Sequence, residues 1–114
     1  MPKSERGEFK EIKKSPYNFE YYDSSWELDF MKELEKDTSV IKWTKNNMIT
    51  IPYHDTDGKY RSFKPDFLLE KKDGTIELVE IKGRHLLPQF KRKMEAAEEW
   101  CKARKIKFRT FSRY

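Results

Sequence analysis

A chain of 114 residues supports one hydrophobic core and leaves little room for a second lobe. The hydrophobic share is low at 36% and the charged share high at 39%, but a 15% aromatic content argues against disorder of the whole chain and for a small fold with a heavily charged surface. A single cysteine, Cys101, excludes an internal disulfide and a cysteine-based zinc cluster, and the two histidines lie too far apart in sequence to suggest a zinc site.

No apolar run approaches a membrane span, and the residues after Met1 lack the apolar core of a signal peptide. The expectation is a cytoplasmic protein that makes no use of a membrane. The net charge of +5 is unevenly spread. Residues 1–18 carry five basic and three acidic groups (+2), residues 19–82 ten and fourteen (−4), and residues 83–114 ten and three (+7). A basic end beside an acidic centre suits a polyanion gripped around a metal ion. A solvated basic helix and strand is the plainer alternative.

In chain order, residues 1–18 mix charges with Pro2, Gly7 and Pro16, show no period, and read as a flexible basic arm ahead of a single domain over 19–114. A helix starts near Ser24, where Asp23, Ser24 and Ser25 are all good caps. Trp26, Phe30, Met31 and Leu34 then recur at helical spacing through about Lys36. Ser24-x-x-Glu27 has the form of a capping box, with the carboxylate folding back to the Ser24 amide. Val40–Trp43 and Met48–Tyr53 read as strands, with Pro52 marking an end or a bulge. His54 reads as a loop histidine outside any motif.

Residues 63–84 read as two strands folded on each other around Asp73-Gly74. If Lys72, Asp73 and Gly74 form a three-residue loop with Gly74 left-handed, Lys71 pairs with Thr75 and the numbers of every opposed pair total 146. Asp66 then faces Glu80. Asp66, Leu68, Ile76, Leu78, Glu80 and Lys82 share one side, and Phe67, Leu69, Val79 and Ile81 the other. A two-residue loop shifts the total to 147 and separates Asp66 from Glu80. The first register is favoured because it gathers the charges at one end of one face. Two opposed carboxylates repel, and burying them costs several kcal/mol, on the order of the penalty for any unpaired buried charge, unless a cation or proton compensates.

Beyond the hairpin, Pro88 is placed to open a helix with Phe90, Met94, Ala97 and Cys101 as its apolar stripe. Cys101 is most simply a small buried hydrophobe. Arg84, Lys91, Arg92 and Lys93 crowd the start of that helix and could hold phosphates or simply face solvent. Residues 106–111 alternate as a strand, and the intervening helix makes a parallel pairing with the strand ending at Ile81. The fold class is α/β, a sandwich with a mixed sheet of four to five strands flanked by helices.

Pro65-Asp66, a hairpin, and then Glu80-Ile81-Lys82-Gly83 together resemble the signature of the PD-(D/E)XK nuclease superfamily. The resemblance extends to TnsA-like transposon end nucleases, type III restriction subunits and phage junction endonucleases, branches that carry a Ser-x-x-Glu helix ahead of the hairpin. It implies a restriction-endonuclease-like fold and a Mg2+-dependent DNA endonuclease, with Mn2+ able to substitute. Asp66, Glu80, the Ile81 carbonyl and Glu27 would be metal ligands, and Glu27, Asp66, Glu80 and Lys82 the catalytic set. Glu27 thus has a functional reading beside its capping one, with Glu20 as the fallback. Lys82 would serve as proton acceptor or as electrostatic clamp. Lys45-Asn46 falls where type III subunits have a lysine-asparagine pair, which adds Lys45 to Arg84, Lys91, Arg92 and Lys93 as DNA contacts. DNA is the implied partner, met as a homodimer on branched DNA, as a nicking enzyme, or as a subunit of a larger assembly. The competing reading is a DNA-binding module that has the fold without turnover.

Overall fold

Side chains that alternate across two adjacent strands decide how the layers stack. The computed structural model describes residues 6–10, 12–17, 19–45, 47–81 and 88–111. Its elements run β1 (Gly7–Lys10), β2 (Phe19–Tyr22), α1 (Ser25–Lys36), β3 (Val40–Thr44), β4 (Ile51–His54), β5 (Tyr60–Phe63), β6 (Phe67–Lys71), β7 (Ile76–Ile81), α2 (Pro88–Ala103) and β8 (Lys107–Phe111). The main sheet has the order β3-β6-β7-β8, antiparallel except for the parallel β7–β8 pair that α2 connects. This is the expected mixed α/β sandwich, with four strands in the central sheet.

The β6–β7 pairing sets Phe67 opposite Val79, Leu68 opposite Leu78, Leu69 opposite Glu77 and Glu70 opposite Ile76, the register totalling 146. Its cause is local. Gly74 takes φ +86°, its N–H donates to the Lys71 carbonyl (2.9 Å), and the Lys71 N–H donates to the Thr75 carbonyl (2.9 Å), closing a three-residue loop. A side chain at this left-handed position would be strained, which is why glycine stands there.

That register sorts the core into two layers. On one face Phe67, Leu69 and Val79 pack with Phe30, Met31 and Leu34 of α1 and with Val40 and Trp43 of β3. Val40 and Trp43 reach the same face although three apart, because β3 bulges between Val40 and Lys42. On the other face Leu78 packs with Ala97 and Cys101 of α2 and Ile51 of β4, and Leu68, Trp100, Ile106 and Phe108 lie against them. Cys101 is a buried free thiol, raised to about 11 by its desolvation.

Three expectations change. Residues 7–10 and 12–17 are no loose arm: β1 pairs antiparallel with β2, Ile12 enters the core, and the Lys14 ammonium donates to the Leu34 (2.8 Å) and Asp37 (2.7 Å) carbonyls at the end of α1. Those carbonyls have no partner within the helix, and the cation also suits the helix dipole. Residues 1–5, 11 and 18 of the arm lie outside the described residues. The predicted strand over 48–53 starts later, at Ile51, and pairs with β5 in a separate two-stranded ribbon. Pro52 fits there because both strands of a ribbon are edges. His54 sits in β4, exposed, with its ring 3.7 Å from that of Tyr60.

Phe67 is fully buried, with ring centroids 5.0 Å from Phe30 and 5.9 Å from Trp43. Phe67→Ala should lower unfolding free energy by about 3–5 kcal/mol, read as a shift in urea midpoint at unchanged m-value. A loss below about 1 kcal/mol would contradict this packing.

Candidate active site

At the open end of the β6–β7 pair the ladder changes character. Asp66 stands one residue before β6 in a bend, and its N–H donates to Glu80 Oε1 (3.1 Å) instead of to a carbonyl. In return the Ile81 N–H donates to Asp66 Oδ2 (2.8 Å). Each carboxyl group is thus held by the backbone of the other's strand, and the two lie within hydrogen-bonding reach of each other. Burial, followed by repulsion from and hydrogen bonding to Asp66, pushes the Glu80 carboxyl up to about 9. Burial also raises Asp66, against the opposing pull of its hydrogen bonds to Glu80 and the Ile81 amide. Partly buried carboxyls this close do not readily ionise together: one keeps a proton unless a cation compensates the pair.

The α1 N-terminus supplies the neighbours. Ser24 is the N-cap, accepting from the Glu27 N–H (3.2 Å), and the Glu27 carboxylate folds back as expected but accepts from the Asp23 N–H (3.0 Å), one residue before the cap. The same Oε1 meets the Lys45 ammonium at 2.9 Å, and Lys45 also meets Asp23 at 2.6 Å. Glu27 is therefore both cap and neighbour of the dyad, since its charge helps to raise Asp66. Lys45 differs from the predicted phosphate grip. Its side chain is 19% exposed and committed to two carboxylates. Burial pulls its pKa down, but the hydrogen bonds that the ammonium donates to Asp23 and Glu27 outweigh that and hold it charged.

Glu20, the fallback ligand, is buried and occupied otherwise: it accepts from Ser15 Oγ (2.5 Å), Thr44 Oγ1 (2.7 Å) and the Lys45 N–H (3.1 Å). It clamps β2 to the end of β3. Asn47, which sequence reasoning passed over, is buried and donates to the Pro65 carbonyl (3.2 Å), fixing the chain where it enters Asp66. In sequence it is only one of two asparagines between the strands read at Val40–Trp43 and Met48–Tyr53.

Among the basic candidates, Lys91 and Arg92 are exposed, whereas Lys93 is half-buried with its ammonium 5.7 Å from the centroids of both Tyr53 and Phe63. Its charge acts on Glu80, opposing the upward shift, so α2 presents a cation to the dyad. Lys82 and Arg84 lie outside the described residues. Asp66 and Glu80 offer the hard oxygen ligands that magnesium takes, and magnesium binds by one or two carboxylates while keeping waters. Among the described residues no cluster of three or more His, Cys, Asp or Glu side chains forms a cation site. The donor set therefore fits a two-carboxylate site, with Glu27 nearby but tied to Lys45.

A hairpin delivering an aspartate and a glutamate to one end of a mixed sheet, between a helix on each face, defines a nuclease-like sandwich of the PD-(D/E)XK class. Residues 37–113 match the model of the family described as TnsA-like endonuclease N terminal, and the chain belongs to that family. Membership carries a nuclease-type hydrolase activity at the coarse level. No curated protein matches the chain. The matched range contains Lys45, Asp66 and Glu80, whereas Glu20, Asp23 and Glu27 precede it.

The raised Glu80 carboxyl has a consequence for stability. The folded chain keeps its proton from the usual carboxylate range up to about 9, while the unfolded chain releases it early. The unfolded state thus binds fewer protons over that window, and stability falls as pH rises through it. In EDTA the melting temperature should decline between these limits, and Glu80→Gln should flatten the decline. An equally steep slope in the variant would contradict the shared-proton description.

Proposed function

We propose that the protein is a metal-dependent DNA endonuclease that hydrolyses phosphodiester bonds at the Asp66–Glu80 dyad. The observation that carries this reading is the reciprocal crossing of the two carboxyls onto each other's backbone, a costly arrangement that a salt bridge at a strand end does not need. In this reading Asp66, Glu80 and the Ile81 carbonyl hold a magnesium ion, for which manganese substitutes. The bound ion supplies the Lewis acidity that attack on a phosphodiester needs at neutral pH.

The chain's own groups do the rest. The Ile81 amide fixes the Asp66 carboxylate and the Asp66 amide fixes that of Glu80, so neither must reorganise when substrate arrives. Glu80 gives up its proton when the site is filled. Lys45 neutralises Glu27, limiting the negative field that a phosphate would meet. Lys93, with the exposed Lys91 and Arg92, steadies the DNA backbone, and we assign Lys82 to the attacking water as proton acceptor or to the scissile phosphate as electrostatic clamp. Two symmetric cuts need two sites, which a homodimer or a larger nuclease assembly would provide.

A second reading, activity only within an assembly, is favoured by the commitment of Glu27 to Lys45 in the isolated chain. Cleavage of labelled single-stranded, duplex, flapped and four-way DNA with Mg2+ separates the two. The purified chain should cut at least one substrate and EDTA should stop it, while Asp66→Asn, Glu80→Gln and Lys82→Ala, each still folded, should each lose on the order of a hundredfold or more in rate. Cutting by Asp66→Asn at the parent rate would sink the assignment, and binding without cutting by the parent would favour the assembly reading.

Glu27→Gln keeps an acceptor for the Asp23 N–H but discards the charge that acts on Asp66. If Glu27 assists the metal site, the variant should keep its melting temperature within a few degrees and lose roughly tenfold or more in cleavage rate. Unchanged cleavage would leave Glu27 a helix cap alone.

A further inference from the structure

Resting on the nuclease reading, we infer that the groove between the β1–β2 hairpin and Asp66 binds unpaired nucleobases of the strand next to the cut site. The groove has a volume of about 510 Å3, and Tyr17, Phe19, Tyr21, Lys64 and Asp66 are among the residues that line it. Ligand pockets typically measure about 300–1,000 Å3. β2 alternates: Glu20 is buried and Tyr22 packs on the core, which leaves Phe19 and Tyr21 on the outer side. Tyr17, Phe19 and Tyr21 are 47%, 39% and 62% exposed, an unusual concentration of large apolar surface beside a polar site. Phe19 and Tyr21 meet edge to face, with centroids 5.5 Å apart and planes at 86°, a contact that takes up one face of one ring and does not stack the two on each other.

Aromatic faces beside cations are the chemistry of single-strand recognition, where bases stack on rings and lysines track phosphates. Lys64 is exposed on the groove wall and available for that purpose. The occupant must be unpaired, because in a duplex the base faces are already stacked on one another and only sugars, phosphates and base edges remain to be touched. Asp66 lines the same groove as the rings, so a strand with a base seated on them would pass its backbone close to the dyad. The substrate class is then DNA with a single-stranded flank or an opened junction, in preference to a blunt duplex.

The test is binding of the full chain in EDTA, which separates recognition from cleavage, by fluorescence anisotropy with a duplex bearing a short single-stranded flank and a blunt duplex of equal length. The flanked DNA should bind about tenfold tighter or more. Tyr21→Ala and Phe19→Ala should each bring that ratio toward one, whereas Tyr21→Phe, which keeps the ring, should retain it. A 2-aminopurine base in the flank should be quenched on binding to the parent and not to Tyr21→Ala, a signal that a merely structural tyrosine would not move. Equal affinity for the two DNAs, or a ratio unchanged in both alanine variants, would overturn the inference and favour a protein partner on this surface. Cleavage in Mg2+ is scored separately: strong cutting of blunt duplex with no flank preference sinks only the groove assignment, and flank binding with no cutting of any DNA sinks only hydrolysis by the isolated chain.

Discussion

The structure depends on one constraint: two carboxyl groups are made to share a small, poorly solvated space because each is bonded to the other's strand. The Asp66 N–H reaches Glu80 and the Ile81 N–H reaches Asp66. Hydrogen bonds from backbone amides favour ionised carboxylates, while burial and mutual repulsion favour a proton. The second pair of effects prevails at Glu80, whose carboxyl rises to about 9. In the proposed reading, a cation entering such a site would displace that proton, since carboxylate ligands bind a metal in their ionised form.

The surrounding elements make the constraint possible. The left-handed Gly74 closes a loop that sets the 146 register, and that register puts residues 66 and 80 across from each other. A one-residue slip would have sent them to opposite faces. The apolar residues of both faces then hold the register, with α1 on one side and α2 on the other. Asn47 pins Pro65, and Glu20 ties β2 to β3, so the approach to Asp66 is fixed from the side of the groove as well. The electrostatic surroundings are divided: Lys45 answers Asp23 and Glu27, and Lys93 stands toward Glu80.

What could be read from the sequence was what short-range chemistry determines. Asp73-Gly74 announced the turn, Ser24 the helix cap, and the spacing of Trp26, Phe30, Met31 and Leu34 the buried side of α1. The parallel β7–β8 pair followed from a helix lying between two strands. The β1 segment was missed because four residues alternating between partial burial and exposure, broken from β2 by charged and proline positions, carry little periodic signal. What orders it is pairing with β2, and the residues just after it, Lys13 and Lys14, are held from farther along the chain by Glu35, Leu34 and Asp37. The same reason hid the role of Lys45. A lysine in a turn shows nothing of carboxylates as distant in sequence as Asp23 and Glu27, so the bridge that Lys45 makes to them was not legible. The exposed rings of Phe19 and Tyr21 were overlooked for a related cause: only pairing with β1 decides which side of β2 faces out.

The most direct measurement of the central claim is proton release on metal binding. Manganese chloride is titrated into weakly buffered protein at neutral pH, and the protons liberated are counted against the ions bound. Exchange of a shared carboxyl proton for a cation predicts release of about one proton per ion, lost in Asp66→Asn. Binding with no release, or the same release from Asp66→Asn, would contradict the account.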